Sequence, residues 1–252
     1  MMLIWLQKGQ VSMFHKSKAV FYSRLLFVFI LIGVFLTLMM LLHNKHYLMF
    51  SFMVLLCSIL PAYWKFEKQP LTTQTLMFVA ILIALAVAGR VPFAALPSIQ
   101  AASFVIIVGG VSLGPELGFV TGSTTALVSN RFMGQGPWTP WQMFAWGLMG
   151  LSAGLIGMTK LKKSLIFMII FGGVWGFLFG WIMDLWYALQ YVSPMTLKSF
   201  ILAFASSALF DLYHGLSNIV LIALLYRPWE KLFTRLDRKY RFLPTKQNKG
   251  MD

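Results

Sequence analysis

RVPFAALPSIQ at residues 90–100 and LGPELGFVTGSTTALVSNRFMGQGPWTPWQ at residues 113–142 carry the reading of this chain. An apolar run lies between them, and another, rich in small residues, follows as far as Gly157. Two hydrophobic helices lined with glycine and other small residues are therefore joined by a compact loop of Asn, Arg, Gln, Gly, Pro and Trp. Such a loop holds aromatic faces and neutral hydrogen-bonding groups just above an apolar bundle. It reads as the mouth of a site for a bulky, polar but mostly uncharged molecule.

The rest of the chain supplies the bundle. Of 252 residues, 59% are hydrophobic and 11% charged, and the mean hydropathy is +0.76. Only a bilayer suits that balance as solvent, so the sequence predicts one all-α integral membrane domain. Eight apolar runs, at 25–42, 46–64, 72–89, 100–113, 115–131, 141–159, 164–190 and 198–226, have about the length needed to cross ~30 Å of hydrocarbon. The fourth is short and ends at Leu113-Gly114-Pro115, where proline fits the first turn of the next helix. Residues 2–23 precede the first run without a small-residue cleavage site, so no leader is cut, and translation from Met13 would leave the same spans. The lone cysteine, Cys57, has no partner for an intramolecular disulfide.

The net charge of +14 belongs to lipid rather than to nucleic acid, because the cations sit at span ends and in the tails. One set of flanks holds Lys8, Lys16, Lys18, Arg24, Lys65, Lys68, Lys160, Lys162, Lys163 and the cations of 227–249; the other holds only Lys45, Arg90, Arg131 and Lys198. The positive-inside rule then predicts both termini in the cytoplasm and the loops at 90–99, 131–140 and 191–197 outside. Beyond Arg227, the residues Trp229, Leu232, Phe233, Leu236 and Tyr240 recur at helical spacing among Lys and Arg. They predict either an interfacial helix on the inner leaflet or a plain basic tail.

Small residues at four-residue spacing form ridges on which membrane helices pack. Gly114, Gly118, Gly122 and Ala126 make one, Gly172, Gly176 and Gly180 a second, and Ala203 and Ser207, leading to Asp211 and Gly215, a third. A further ridge, Ala80, Ala84 and Ala88, is either a seam or a docking face for another membrane protein. Two acids fall inside spans. Asp184 lies about 9 Å of helix rise from the outer end of its span, either facing an outward pocket or pairing with a Trp N–H, Arg90 or Arg131. Asp211, His214 and Asn218 share a deeper face and read as a structural hydrogen-bond network or a partner contact. One His with one Asp and one Asn is a weak metal set. The chain has no P-loop, HExxH or GxSxG pattern and no paired catalytic carboxylates, so it reads as a transporter part or a scaffold, not an enzyme, with no cofactor or metal assigned.

Residues from about Leu71 to Leu236 resemble the substrate-binding subunits, called S components, of energy-coupling-factor (ECF) vitamin transporters. RVPFAALPSIQAASFVIIVGGVSLGPELGF is similar to the family's first outer loop and second helix, and VSNRFMGQGPWTPWQMFAWGLMGLSAG resembles most the group assigned to cobalamin or its precursors. The resemblance implies a six-helix bundle at 71–236, a basic cytoplasmic tail at 237–252, and an N-terminal extension at 1–70 with two transmembrane helices beyond the family's six. It implies a plasma-membrane protein with both termini inside that captures a vitamin from outside. A transmembrane coupling subunit and two cytoplasmic ATPases would drive release by toppling the S component. Ala80, Ala84 and Ala88 would dock on that coupling subunit.

For a cobalamin-like ligand, Arg90 and Arg131 would meet a phosphate or amide edge. Gln100, Asn130, Gln135 and Gln142 would bond amides, and Trp138 and Trp141, with Trp181 as a further candidate, would stack on a flat ring unless they belong to an interfacial belt. Asp184 would complete an outward pocket, and the Gly- and Pro-rich segment 133–141 would close over the ligand. A ligand-free scaffold of cell-envelope assembly, an S component for a different vitamin and a carrier driven by an ion gradient are the alternatives.

Overall fold

A computed structural model describes residues 55–56, 59–64, 66–67, 71–194 and 196–240, all within one compact unit that begins at Leu55. The expected span at 25–42 and most of that at 46–64 lie outside the described residues. Six α-helices follow: α1 Thr73–Ala88, α2 Ala102–Leu113, α3 Pro115–Met133, α4 Thr139–Gly157, α5 Leu165–Tyr191 and α6 Leu197–Tyr240. Short 3-10 turns at Val91–Phe93 and Lys160–Lys163 join α1 to α2 and α4 to α5. There is no strand among the described residues.

Each boundary has a local cause. The Thr72 side chain accepts the Thr75 N–H at the start of α1, and the Ser164 hydroxyl accepts the Phe167 N–H at the start of α5. Gly114 at φ +94° turns the chain out of α2, and Pro115 opens α3 directly after it. Gly134 at φ +105° ends α3, leaving only residues 134–138 as the loop before α4. The stretch that the sequence assigns to a ten-residue loop is thus half helix.

Thr73–Phe93, Leu165–Tyr191 and Leu197–Tyr240 are each long and apolar enough to cross a membrane. They carry large apolar side chains outward, Ile166 at 72% and Leu197 at 76% exposure among them. Such a surface requires lipid, and the protein is an all-α membrane bundle. The short helix α2 is different. Ten of its twelve residues are buried, and its ~18 Å length does not span the hydrocarbon. It is apolar all round because neighbours cover it all round.

The glycine ridges are packing seams. A Cβ at Gly118 would lie 2.3 Å from the Gly150 carbonyl oxygen, and one at Gly122 would lie 2.0 Å from that of Trp146, so α3 and α4 touch backbone to backbone. A Cβ at Gly176 would meet the Gly215 nitrogen at 2.3 Å, joining α5 to α6. Tyr63, in the helical residues before α1, bonds Thr124 of α3 through their hydroxyls at 2.7 Å.

The C-terminal part of α6 departs from expectation. The interfacial helix predicted beyond Arg227 is no separate element: α6 runs unbroken through Pro228 for 44 residues, about 66 Å of rise. Trp229 packs edge-on to Phe104 at 5.5 Å and Phe233 against Phe78 at 5.5 Å, so these rings bury against the bundle instead of lipid. Leu232 and Tyr240 remain exposed.

Candidate functional site

Arg90 follows α1 at the turn made by Gly89 and is 7% exposed. Its Nη1 donates to the Ser129 hydroxyl and, at 2.7 Å, to Asn130 Oδ1; its Nη2 reaches Gln142 Oε1 at 3.5 Å. Asn130 Nδ2 donates to Thr139 Oγ1 at 3.0 Å and to Gln142 Oε1 at 2.8 Å. Thr139 then donates to Gln135 Oε1 at 2.9 Å, whose Nε2 donates to the Leu127 carbonyl at 2.9 Å. The chain of bonds staples the 134–138 loop to the end of α3. Every hydrogen-bond partner of Arg90 among the described residues is neutral, and its Nε is buried without one. A buried cation so held lacks a counter-charge and favours an electron-rich acceptor.

The face of that guanidinium lies 4.7 Å from the centroid of the Trp146 ring. Trp146 stacks on Phe179 at 5.1 Å and 28°, and its Nε1 donates to Ser103 Oγ at 3.2 Å. Ser103 in turn meets His214 Nε2 at 2.7 Å, and the His214 ring stands edge-on to Phe179 at 5.0 Å. One connected cluster therefore joins the turn after α1 (Arg90) with α2 (Ser103), α3 (Ser129, Asn130), α4 (Gln142, Trp146), α5 (Phe179) and α6 (His214).

Beside it, α4 and α5 carry a second aromatic group. Trp138 meets Trp186 at 6.0 Å and 69°, and Trp186 meets Tyr191 at 5.9 Å and 89°. The Nε1 atoms of Trp141 and Trp186 and Oε1 of Gln190 are buried without a hydrogen-bond partner.

The structure brings Arg90, Asn130, Gln135 and Gln142 into one network, with Trp138 and Trp141 on the adjoining wall. It does not bring in the others. Arg131 is exposed on the last turn of α3, one residue and about 100° round the helix from Asn130, where its charge suits the helix C-terminus. Gln100 is half-buried ahead of α2 and makes no side-chain bond among the described residues. Asp184 is 8% exposed and accepts from Ser207 at 2.6 Å, with Asp211 Oδ2 3.5 Å from the same hydroxyl, in the α5–α6 seam. Trp181 is 50% exposed, on the lipid side. Asn218 donates to the Gly172 carbonyl at 3.0 Å, an internal bond like that of His214. Ala80, Ala84 and Ala88 all lie exposed on α1, opposite the buried Thr75, Val79, Leu82 and Ala86.

Sequence reasoning missed Ser103, Ser129, Thr139, Trp146, Phe179, Trp186 and Gln190. Helical spacing from residues it did name was the available signal, since Trp146 is four residues from Gln142. Among the described residues no group of three His, Cys, Asp or Glu side chains is placed to hold a metal ion.

Residues 70–231 match the protein-family model described as ECF-type riboflavin transporter, S component. No curated protein and no solved structure matches the chain. The family match spans most of the chain and all six helices as far as residue 231 of α6. The chain belongs to the ECF S-component family: it is the substrate-binding subunit of a vitamin transporter in the plasma membrane, works with transmembrane and ATPase subunits, and is not an enzyme.

Proposed function

We propose that this chain captures riboflavin, or a flavin with the same ring system, at the outer ends of its helices. The observation that carries the reading is the buried cluster in which Arg90 lies over Trp146, itself stacked on Phe179, with Asn130 and Gln142 alongside. A flavin is a flat ring with a carbonyl-rich edge and a hydroxylated tail. Aromatic faces suit the ring, a guanidinium suits the carbonyls, and neutral amides suit the rest. The family description supports the same cargo. Cobalamin or a precursor, the cargo of the group that the block at residues 128–154 resembles most, is the second candidate.

The asymmetry of basic flanks supports an orientation with the Arg90 and 134–138 ends outside and Tyr240 inside. The exposed alanine ridge of α1 is the surface on which the coupling subunit would dock, because small residues permit close helix approach. Energy then comes from two ATPases acting through that subunit. Residues 1–70, where two further spans are expected from the sequence, precede the docking ridge.

The test is titration of the purified chain in detergent with riboflavin, read by quenching of flavin fluorescence. Saturable one-to-one binding, lost about 100-fold or more in Arg90→Ala, is the expected result. Saturable cobalamin binding without flavin binding would replace the cargo. Co-purification with envelope proteins and no vitamin binding would favour the scaffold reading.

A further inference from the structure

A cavity of about 250 Å³ opens between α2, the Lys160–Lys163 turn and α6. Val111 and Ser112, then Lys162, then Glu230, Phe233 and Asp237 line it. It is far larger than the ~10–15 Å³ that one buried water needs. Two bonds pin the turn against α6. Tyr226 Oη donates to the Lys162 carbonyl at 2.8 Å, and Arg227 Nη2 donates to the Lys163 carbonyl at 2.6 Å.

The lining carries both signs of charge. Lys162 is half-buried, and its ammonium makes no hydrogen bond or ion pair among the described residues; the Ser112 hydroxyl makes none either. Glu230 gives Oε2 to Arg227 at 3.0 Å and keeps Oε1 for another partner. Asp237, 1% exposed, adds a second carboxyl group to the same wall. An ammonium seeks an anionic acceptor and a carboxylate oxygen seeks a charged donor. A simple ion of either sign would satisfy one and be repelled by the other. A molecule that joins an anion to an ammonium satisfies both.

The place of the cavity says where such a molecule comes from. The Lys160–Lys163 turn immediately precedes α5, a helix able to cross a membrane, so the cavity is level with lipid headgroups. Leu161 and Ile166, on either side of Lys162 in sequence, are 47% and 72% exposed and offer apolar surface to acyl chains.

We propose that this cavity holds the headgroup of phosphatidylethanolamine. The phosphate accepts from Lys162 and Ser112. The primary ammonium at the other end of the ethanolamine donates to Glu230 Oε1, in the negative field that Asp237 reinforces. The acyl chains leave past Leu161 and Ile166. Selection follows from the ammonium: a trimethylated one has no N–H to give, and a headgroup that is only anionic meets two carboxyl groups without compensation. The site is separate from the Arg90 cluster and does not depend on which vitamin is carried.

The full-length chain, purified in detergent, is offered equal amounts of phosphatidylethanolamine, phosphatidylcholine and phosphatidylglycerol with the same acyl chains, and retained lipid is read by native mass spectrometry. The expected result is one retained lipid per chain, with phosphatidylethanolamine favoured about tenfold or more over either competitor. Lys162→Ala should lower its retention about tenfold, whereas Lys160→Ala, in the same turn but outside the lining, should leave it unchanged. Glu230→Gln should bring phosphatidylcholine to within about threefold of phosphatidylethanolamine. Equal retention of the three lipids, a preference for phosphatidylglycerol, or equal losses in Lys160→Ala and Lys162→Ala overturns the assignment, because each is what a general cationic rim would give. An undiminished preference in Glu230→Gln overturns it too, as does binding of soluble glycerophosphoethanolamine by a chain that retains no lipid. Should Lys162→Ala not fold, the wild-type preference and Glu230→Gln decide alone.

Discussion

The α3–α4 and α5–α6 hairpins are both sealed by glycines at four-residue spacing, yet they use the missing side chains differently. Between α3 and α4 the glycines face backbone: Gly118 and Gly150 each abut the other's carbonyl, and Gly122 abuts that of Trp146. Between α5 and α6 one of them faces a charge-bearing side chain, because a Cβ at Gly180 would stand 1.7 Å from Asp211 Oδ1. The first seam brings two helices together so that Asn130, Gln142 and Trp146 meet. The second opens room for a carboxyl group inside a membrane domain, where Ser207 contacts both it and Asp184. An identical sequence pattern thus serves rigid juxtaposition in one hairpin and accommodation of a polar group in the other.

Substitution separates the two roles. Gly150→Val should have the largest effect. Its Cβ would meet the Gly118 carbonyl at 2.0 Å, backbone that cannot move aside, so a loss of about 3 kcal/mol or more is expected. Thermal unfolding in detergent should show it, together with loss of flavin binding. Arg90→Met should come next. It removes the partner of Ser129 and Asn130 and should cost about 1–3 kcal/mol, with ligand affinity falling far more than stability.

Gly180→Ala should be milder, about 1–2 kcal/mol, because a side chain can swing where a backbone cannot. Asp211→Ala should restore most of that loss in the double variant, giving a coupling energy of about 1 kcal/mol. No side-chain truncation on α3 should rescue Gly150→Val. If one does, or if Asp211→Ala fails to rescue Gly180→Ala, the distinction between the seams collapses. Arg131→Ala and Trp181→Phe should change stability by less than about 0.5 kcal/mol, since both side chains project away from the bundle.

The fold was legible because apolar runs and their glycine or proline stops are local signals. Leu113-Gly114-Pro115 ends one helix and begins the next, and the six expected runs between 72 and 226 each match a helix to within a few residues at their outer bounds. Two boundaries were not legible. The loop after Asn130 looked longer than it is because polar Asn130 and Arg131 end the apolar run, whereas the helix itself continues to Met133 and stops at Gly134. The end of α6 was hidden because Pro228 signals a break, and only packing of Trp229 and Phe233 on distant rings explains why the helix continues.

Arg90, Asn130, Gln142 and Trp138 stood out in the sequence because polar and aromatic residues are conspicuous at the rim of apolar runs. Trp146 and Phe179 did not, since an aromatic residue within a span looks like any core residue until its neighbours are known. Arg131 lies exposed, outside the Arg90 network, for a geometric reason. It adjoins Asn130 in sequence, but consecutive helical residues point in different directions. Asp184 met a serine hydroxyl on the neighbouring helix, a pairing across 23 residues that no local pattern announces.

Helix α6 is a single rod of about 66 Å that carries His214 beneath the Arg90 cluster and Tyr240 at its far end. A rod of that reach amplifies angle into distance. Were the bundle to rotate by about 10° around the Leu197 end of this rod, the far tip would sweep roughly 11 Å, given the ~1.5 Å rise per residue. Because Trp229 and Phe233 clamp the rod to α1 and α2, the sweep would drag the other helices along instead of bending at Pro228. A force applied at the Tyr240 tip would in this way arrive, undiluted, at the Arg90 cluster.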